Sequence, residues 1–114
     1  MYKILVRSIL LPDVPQIYSE YIKENGPFEG FTVDNSYPGY VALWRLEELA
    51  KNNADIDIEM CAPGYVAFGG DAGGEVLAFD KTGSVFMLPL IGMEAQYARH
   101  IANDFQELAA RFKT

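Results

Sequence analysis

Cysteine occurs once, at Cys61, and histidine once, at His100. A single thiol cannot close an internal disulfide, so nothing marks the chain as a stapled, secreted domain. Basic residues are also scarce. Nine Lys and Arg stand against 16 Asp and Glu, for a formal charge of −7. Binding phosphates needs clustered Lys and Arg, which argues against a general nucleic-acid binder. No apolar run approaches the roughly 18 residues of a membrane span. The run Ile4-Leu5-Val6, flanked by Lys3 and Arg7, is too short for the apolar region of a signal peptide. Ser8-Ile9-Leu10-Leu11 passes into Pro12 and Asp13 without a small-x-small cleavage site. A cytoplasmic location is therefore expected, with neither a membrane nor a nucleic-acid partner. Repeats, linkers and low-complexity segments are missing too.

What is present is core material. Half of the 114 residues are hydrophobic and 13% are aromatic, which excludes intrinsic disorder. The length suits one domain over residues 1–114, able to bury about two thirds of its unfolded surface. Residues 2–6 read as a short strand or an irregular segment. Residues 13–25 read as a helix, with Val14, Ile17, Tyr18, Tyr21 and Ile22 on one face. Asp13 and Gln16 form a capping-box pattern at its start, Pro15 fits the first turn, and Asn25-Gly26-Pro27 stops it. Residues 28–39 read as a loop with a short strand at Phe31-Thr32-Val33, followed by a strand over 40–44. A short helix is predicted from Arg45 to Lys51, with Leu46, Leu49 and Ala50 inward and Asn52-Asn53 ending it. Ile56, Ile58 and Met60 alternate with Asp55, Asp57 and Glu59, the pattern of a half-exposed strand or extended segment.

Strands over 65–69, 75–80 and 84–90 are separated by the glycine loop 70–74 and the hairpin turn Asp80-Lys81-Thr82-Gly83. This predicts an antiparallel meander. From Glu94 to Arg111, Ala98, Ile101, Ala102, Phe105, Leu108 and Ala109, with Phe112 just beyond, follow a helical stripe. The expected fold is α+β: a mainly antiparallel central sheet with flanking helices on one face, an N-terminal helix and a long C-terminal helix.

No catalytic constellation emerges. His100 is expected on the last helix, flanking its apolar stripe and pairing loosely with Asp104. Cys61 sits beside an apolar segment and has no activation signature, so a buried, inert thiol is expected. Asn53, Asp55 and Asp57 have the spacing that opens a calcium loop, but Ile58 and Gly64 occupy positions that need Gly and Glu. Gly69-Gly70-Asp71-Ala72-Gly73-Gly74 matches no phosphate-binding pattern. Its glycines read as backbone geometry, and a metal set of Asp71, Glu75 and Asp80 is the lesser reading. No cofactor and no metal are expected.

One resemblance covers roughly residues 11–112. Trp44-Arg45-Leu46-Glu47-Glu48-Leu49, the stretch from Ala62-Pro63-Gly64 to Phe79-Asp80, and Ala102-Asn103-Asp104-Phe105-Gln106-Glu107-Leu108 occur in an order that resembles the SUKH superfamily. Leu11-Pro12-Asp13 and Asn25-Gly26 add to it. That superfamily shares a domain between a fungal cell-wall-synthesis regulator and many bacterial immunity proteins. The resemblance implies an α+β fold and a stoichiometric inhibitor of a polymorphic toxin, often a nuclease, rather than an enzyme. Its members usually carry a further helix before Leu-Pro, where only ten residues precede Leu11. A binding surface on that edge is therefore not carried over.

Together these readings predict an immunity protein whose acidic surface is steered to a basic toxin. The candidate partner-binding residues are Asp55, Asp57, Glu59, Asp71, Glu75 and Asp80, with Tyr37, Tyr40 and Trp44 as aromatic anchors. The rival readings are a regulatory or scaffold module and an enzyme or small-ligand domain with a pocket at Cys61 or His100. The oligomeric state is left open.

Overall fold

Helix α1 spans Gln16–Asn25 and buries Tyr18 and Ile22, with Val14, Ile17 and Tyr21 half-buried against the same core. The computed structural model describes residues 13–114, so the strand reading of residues 2–6 lies outside it. The expected capping box does not form. Pro15 is the residue before the first turn, without a side-chain cap, and the Gln16 amide donates to Glu20 instead. Asp13 stands two residues too early to reach the free N–H groups. At the other end Gly26 has φ +77° and donates to the Ile22 carbonyl at 2.8 Å, the left-handed stop that the sequence encodes.

Six strands follow: β1 (Glu29–Phe31), β2 (Tyr40–Leu43), β3 (Val66–Gly70), β4 (Glu75–Phe79), β5 (Val85–Pro89) and β6 (Arg99–Ala102). They form one antiparallel sheet in chain order. The expected meander is present and extends to all six strands. The first strand starts at Glu29 and ends at Phe31, earlier than expected. Thr32 instead makes a bridge to Phe112, and Val33 and Lys113 exchange backbone bonds with Arg111 and Phe31. This pairing brings the C-terminal residues along β1 and curls the sheet.

Alternation along the strands sorts residues to two faces. Phe68, Leu77, Phe79, Val85 and Met87 face α1 and the C-terminal helix α4 (Phe105–Ala109), and the rings of Tyr18, Phe68, Phe79 and Phe105 pack against one another there. Ala67, Val76, Ala78 and Leu88 face the other way, with Ile58, Ala62 and Met93. Both faces are thus covered, not one.

Three predicted elements are corrected. The long C-terminal helix does not exist. Its span is divided into a 3-10 turn at Ala95–Tyr97, strand β6 and the five-residue α4. Asp104 accepts from the Glu107 N–H at 2.8 Å and Glu107 accepts from the Asn103 N–H at 3.0 Å, so a helix begins at this point. The strand at Ile56–Met60 is also absent. Asp57 has φ +54°, and a single helical turn α3 (Ile58–Cys61) follows, burying Ile58 and exposing Met60. Nor do Asn52-Asn53 end the preceding helix. After a 3-10 turn at Leu46–Glu48, α2 runs Leu49–Asp55. Asn53 is kept inside it because its amide is used elsewhere. It donates to the Leu49 and Ala67 carbonyls at 2.8 and 2.9 Å and accepts from the Ala67 N–H at 2.8 Å.

Candidate functional site

An antiparallel sheet in chain order puts alternate connections at opposite ends. Loops 32–39, 71–74 and 90–98 therefore meet at one end, and the connections 44–65 and 80–84 at the other. The candidate residues divide the same way.

At the three-loop end, Tyr37, Glu75 and Arg99 form a cluster. The Arg99 guanidinium donates to both Glu75 oxygens, at 2.8 and 2.6 Å, and to the Tyr37 hydroxyl. Its carbon lies 5.1 Å from the Tyr37 ring centroid, within range of a cation–π contact. The Tyr37 hydroxyl donates to Glu75 at 3.2 Å. Partial burial, then the Glu75 charge, push that hydroxyl above its ordinary pKa, and the Glu75 hydrogen bond raises Arg99 further. Arg111 closes the cluster by donating to the Tyr37 and Ile101 carbonyls at 2.9 and 2.7 Å. Asp71 holds the glycine loop. One of its oxygens accepts from the Gly73 and Glu75 N–H groups at 2.7 and 3.2 Å, while Ala72 and Gly74 take positive φ. The Leu90 N–H donates to the Gly74 carbonyl at 2.8 Å, which ties the third loop to the second. Ile91 is 93% exposed, and Phe31, Tyr37, Leu90 and Tyr97 are exposed as well.

At the opposite end Asp57, Glu59 and Asp80 line an open cleft of about 940 Å3 together with Asp13, Tyr65, Lys51 and Lys81. Asp80 is a turn residue. Its carboxylate accepts from the Thr82 N–H and hydroxyl and from the Ser84 N–H at 2.7–3.0 Å. Burial works against its charge, but these bonds hold its pKa below the usual carboxylate range. Asp55 is ion-paired with Lys51 at 2.7 Å. Tyr40 lies on β2, donating to Glu29, and the half-buried Trp44 packs between the two core clusters.

The nine candidates are therefore not one site. Asp71, Glu75 and Tyr37 come together, Asp57, Glu59 and Asp80 line the cleft, and Asp55, Tyr40 and Trp44 stand apart. The reading of Asp71, Glu75 and Asp80 as one metal set fails on this geometry, since Asp80 is at the far end and Glu75 is taken by Arg99. Among the described residues no group of three His, Cys, Asp or Glu side chains is placed to hold a metal ion. Cys61 is exposed, not buried. His100 is on an exposed strand with its ring edge-on to Phe86 at 5.4 Å, and no ion pair joins it to Asp104, which caps α4 instead. The sequence reading missed Leu90, Ile91, Tyr97 and Arg99. An isoleucine directly before Gly92, between two strands, was the available signal of an exposed apolar turn.

Among the described residues no helix is long and apolar enough to cross a membrane. The family model of the SMI1 / KNR4 family (SUKH-1) matches residues 12–111. No curated protein matches the chain.

Proposed function

The chain belongs to the SMI1 / KNR4 family (SUKH-1), and from that premise we propose that it is a cytoplasmic, non-enzymatic immunity protein. It neutralises a cognate polymorphic toxin, such as a nuclease, by binding it stoichiometrically and occluding its active surface. The observation that carries this reading is the state of the acidic side chains. Three ion pairs are present among the described residues: Lys51–Asp55, Arg99–Glu75 and Arg111–Glu107. Among the described residues Asp57, Glu59, Asp71 and Asp80 have no basic partner, and their field is directed outward. An enzyme that holds phosphate must be basic there, and such a surface is drawn to this one by long-range attraction. The non-catalytic part of the reading is supported by Cys61 and His100, neither of which is hydrogen-bonded to a carboxylate that could orient it.

The test is co-expression of the chain with the C-terminal domain of the protein encoded beside it, scored as cell survival, followed by association kinetics. The triple variant Asp57→Asn, Glu59→Gln, Asp71→Asn keeps the fold. Asn tolerates the positive φ at position 57, and its amide oxygen preserves the Asp71 turn. Association should slow about tenfold at low salt and by little at high salt. Failure to protect would favour the scaffold reading, and equal association rates would remove the steering argument.

A further inference from the structure

We infer that the three-loop end is the face that contacts the toxin, and that it seats in an apolar hollow ringed by Lys and Arg. This rests on the immunity reading and specifies its site. Each loop supplies the same two components. Loop 32–39 brings exposed Val33 and Tyr37 with Asp34. Loop 71–74 brings exposed Ala72 with Asp71, whose second oxygen accepts no hydrogen bond among the described residues. Loop 90–98 brings Leu90, Ile91 and Tyr97 with Glu94. An apolar centre with a polar rim is the anatomy of a protein interface. Ile91, at 93% exposure, and Leu90, at 43%, are large aliphatic side chains left in water.

The charge of the rim decides between occupants. A second copy docked by a two-fold axis would set the same patch against itself, placing Asp34, Asp71 and Glu94 near their own copies. An anionic lipid surface would meet the same carboxylates. Arg99 and Arg111 do not reverse this balance, because Glu75 neutralises the first at 2.6 Å and Glu107 pairs with the second at 3.7 Å. A basic protein is the partner that satisfies both the apolar centre and the acidic rim. The cluster of Tyr37, Glu75 and Arg99 with Arg111 holds loop 32–39 to β4 and β6. The face is therefore preorganised, and little ordering cost opposes binding.

The experiment uses the full chain and the purified C-terminal domain of the protein encoded beside it, with binding followed in real time. Ile91→Ser and Met60→Ser remove comparable exposed side chains from opposite ends without changing charge. Both residues are largely in water, at 93% and 79% exposure, so thermal unfolding should match the parent and a binding loss cannot be a folding loss. Ile91→Ser should raise the dissociation rate about tenfold to a hundredfold, the range of an interface anchor, and Met60→Ser should leave it unchanged. A parent that binds with Ile91→Ser equal to it would overturn the face and leave the immunity reading standing. A parent that does not bind would overturn both. A dimer of the free chain that Ile91→Ser dissolves would assign the face to a second copy and overturn the toxin assignment.

Discussion

Tyr18 is the side chain on which α1 and the sheet depend together, and Tyr18→Phe isolates one atom of it. The ring is fully buried, edge-on to Phe68 and Phe105 at 5.1 Å each. Its hydroxyl is within 2.6 Å of the Trp44 carbonyl and 3.1 Å of the Phe68 carbonyl. Phe68 keeps a second donor, the Trp44 N–H at 2.9 Å, so the carbonyl left unpaired by the variant is that of Trp44. The aromatic packing survives, and the cost is that of one stranded acceptor, about 2 kcal/mol. For a chain of 114 residues that corresponds to a fall in Tm of about 8 °C. A pH test separates this account from loosened packing. Burial pushes the Tyr18 hydroxyl far above its ordinary pKa, while the unfolded chain titrates near 10. Above pH ~10 the unfolded state therefore sheds a proton that the folded state keeps, and stability falls as pH rises. The variant lacks this loss, so its deficit should shrink by about 1.4 kcal/mol between pH 7 and 11, most of it above pH ~10. Urea unfolding followed by circular dichroism measures both, with Tyr21→Phe, whose hydroxyl makes no hydrogen bond among the described residues, as the control for the pH 7 deficit alone, since burial raises that hydroxyl as well. A deficit under about 0.5 kcal/mol at pH 7, or one that does not narrow at pH 11, would refute the reasoning.

Three further outcomes follow from single positions. A Cβ on Gly69 would lie 2.7 Å from the Ala42 carbonyl oxygen, so Gly69→Ala should force β2 away from β3 and cost about 1–3 kcal/mol in denaturant melts. Asn53→Asp points an anion at the Leu49 and Ala67 carbonyls that the amide now serves. It should cost about 3 kcal/mol near neutral pH, with part of the loss recovered on acidification as the new carboxyl takes up a proton. Asp80→Asn keeps an acceptor for the turn but cannot titrate. Since the Asp80 pKa is held low in the fold, its contribution is present above pH ~4 and lost as pH falls through the folded value. The variant should melt with a weaker pH dependence below pH 4 than the parent, and equal slopes would show that the turn bonds do not favour the charged form.

The meander and α1 were legible because local signals and tertiary packing agree there. Asp80 to Gly83 encodes a turn, Gly83 takes φ +88°, and the flanking strands alternate between two covered faces. The C-terminal region was misread because its pattern serves two periods. Ile101, Ala102, Phe105, Leu108 and Ala109 fit one helical stripe, yet the register of β6 skips Ile101, a bulge that passes its carbonyl to Arg111. The signal against a continuous helix was present in Asp104 and Glu107, three residues apart, the spacing of a helix start placed where the middle of a helix was expected. At Ile56–Met60 the alternation of acids and apolar residues suggested a strand, but Met60 points into solvent and Asp57, at φ +54°, turns the chain into a helical turn that packs Ile58 on the sheet.

The site was less legible than the fold, for a topological reason. Sequence distance suggested that Asp71, Glu75 and Asp80 act together, being nine positions apart at most. Strand β4 runs the length of the sheet between them and carries Asp80 to the opposite end. The same geometry joins residues that sequence keeps apart: Tyr37 and Arg99, 62 positions distant, are hydrogen-bonded. Charge reversal at Asp71 illustrates what this changes. A lysine there would remove charge, but it would also strip the acceptor from the Gly73 and Glu75 N–H groups. A slow association would then have two causes. Asp71→Asn separates them, because the turn keeps its oxygen and the partner loses only the charge. Ile91, which no charge argument would have selected, becomes the informative position, since its substitution changes apolar contact and nothing else.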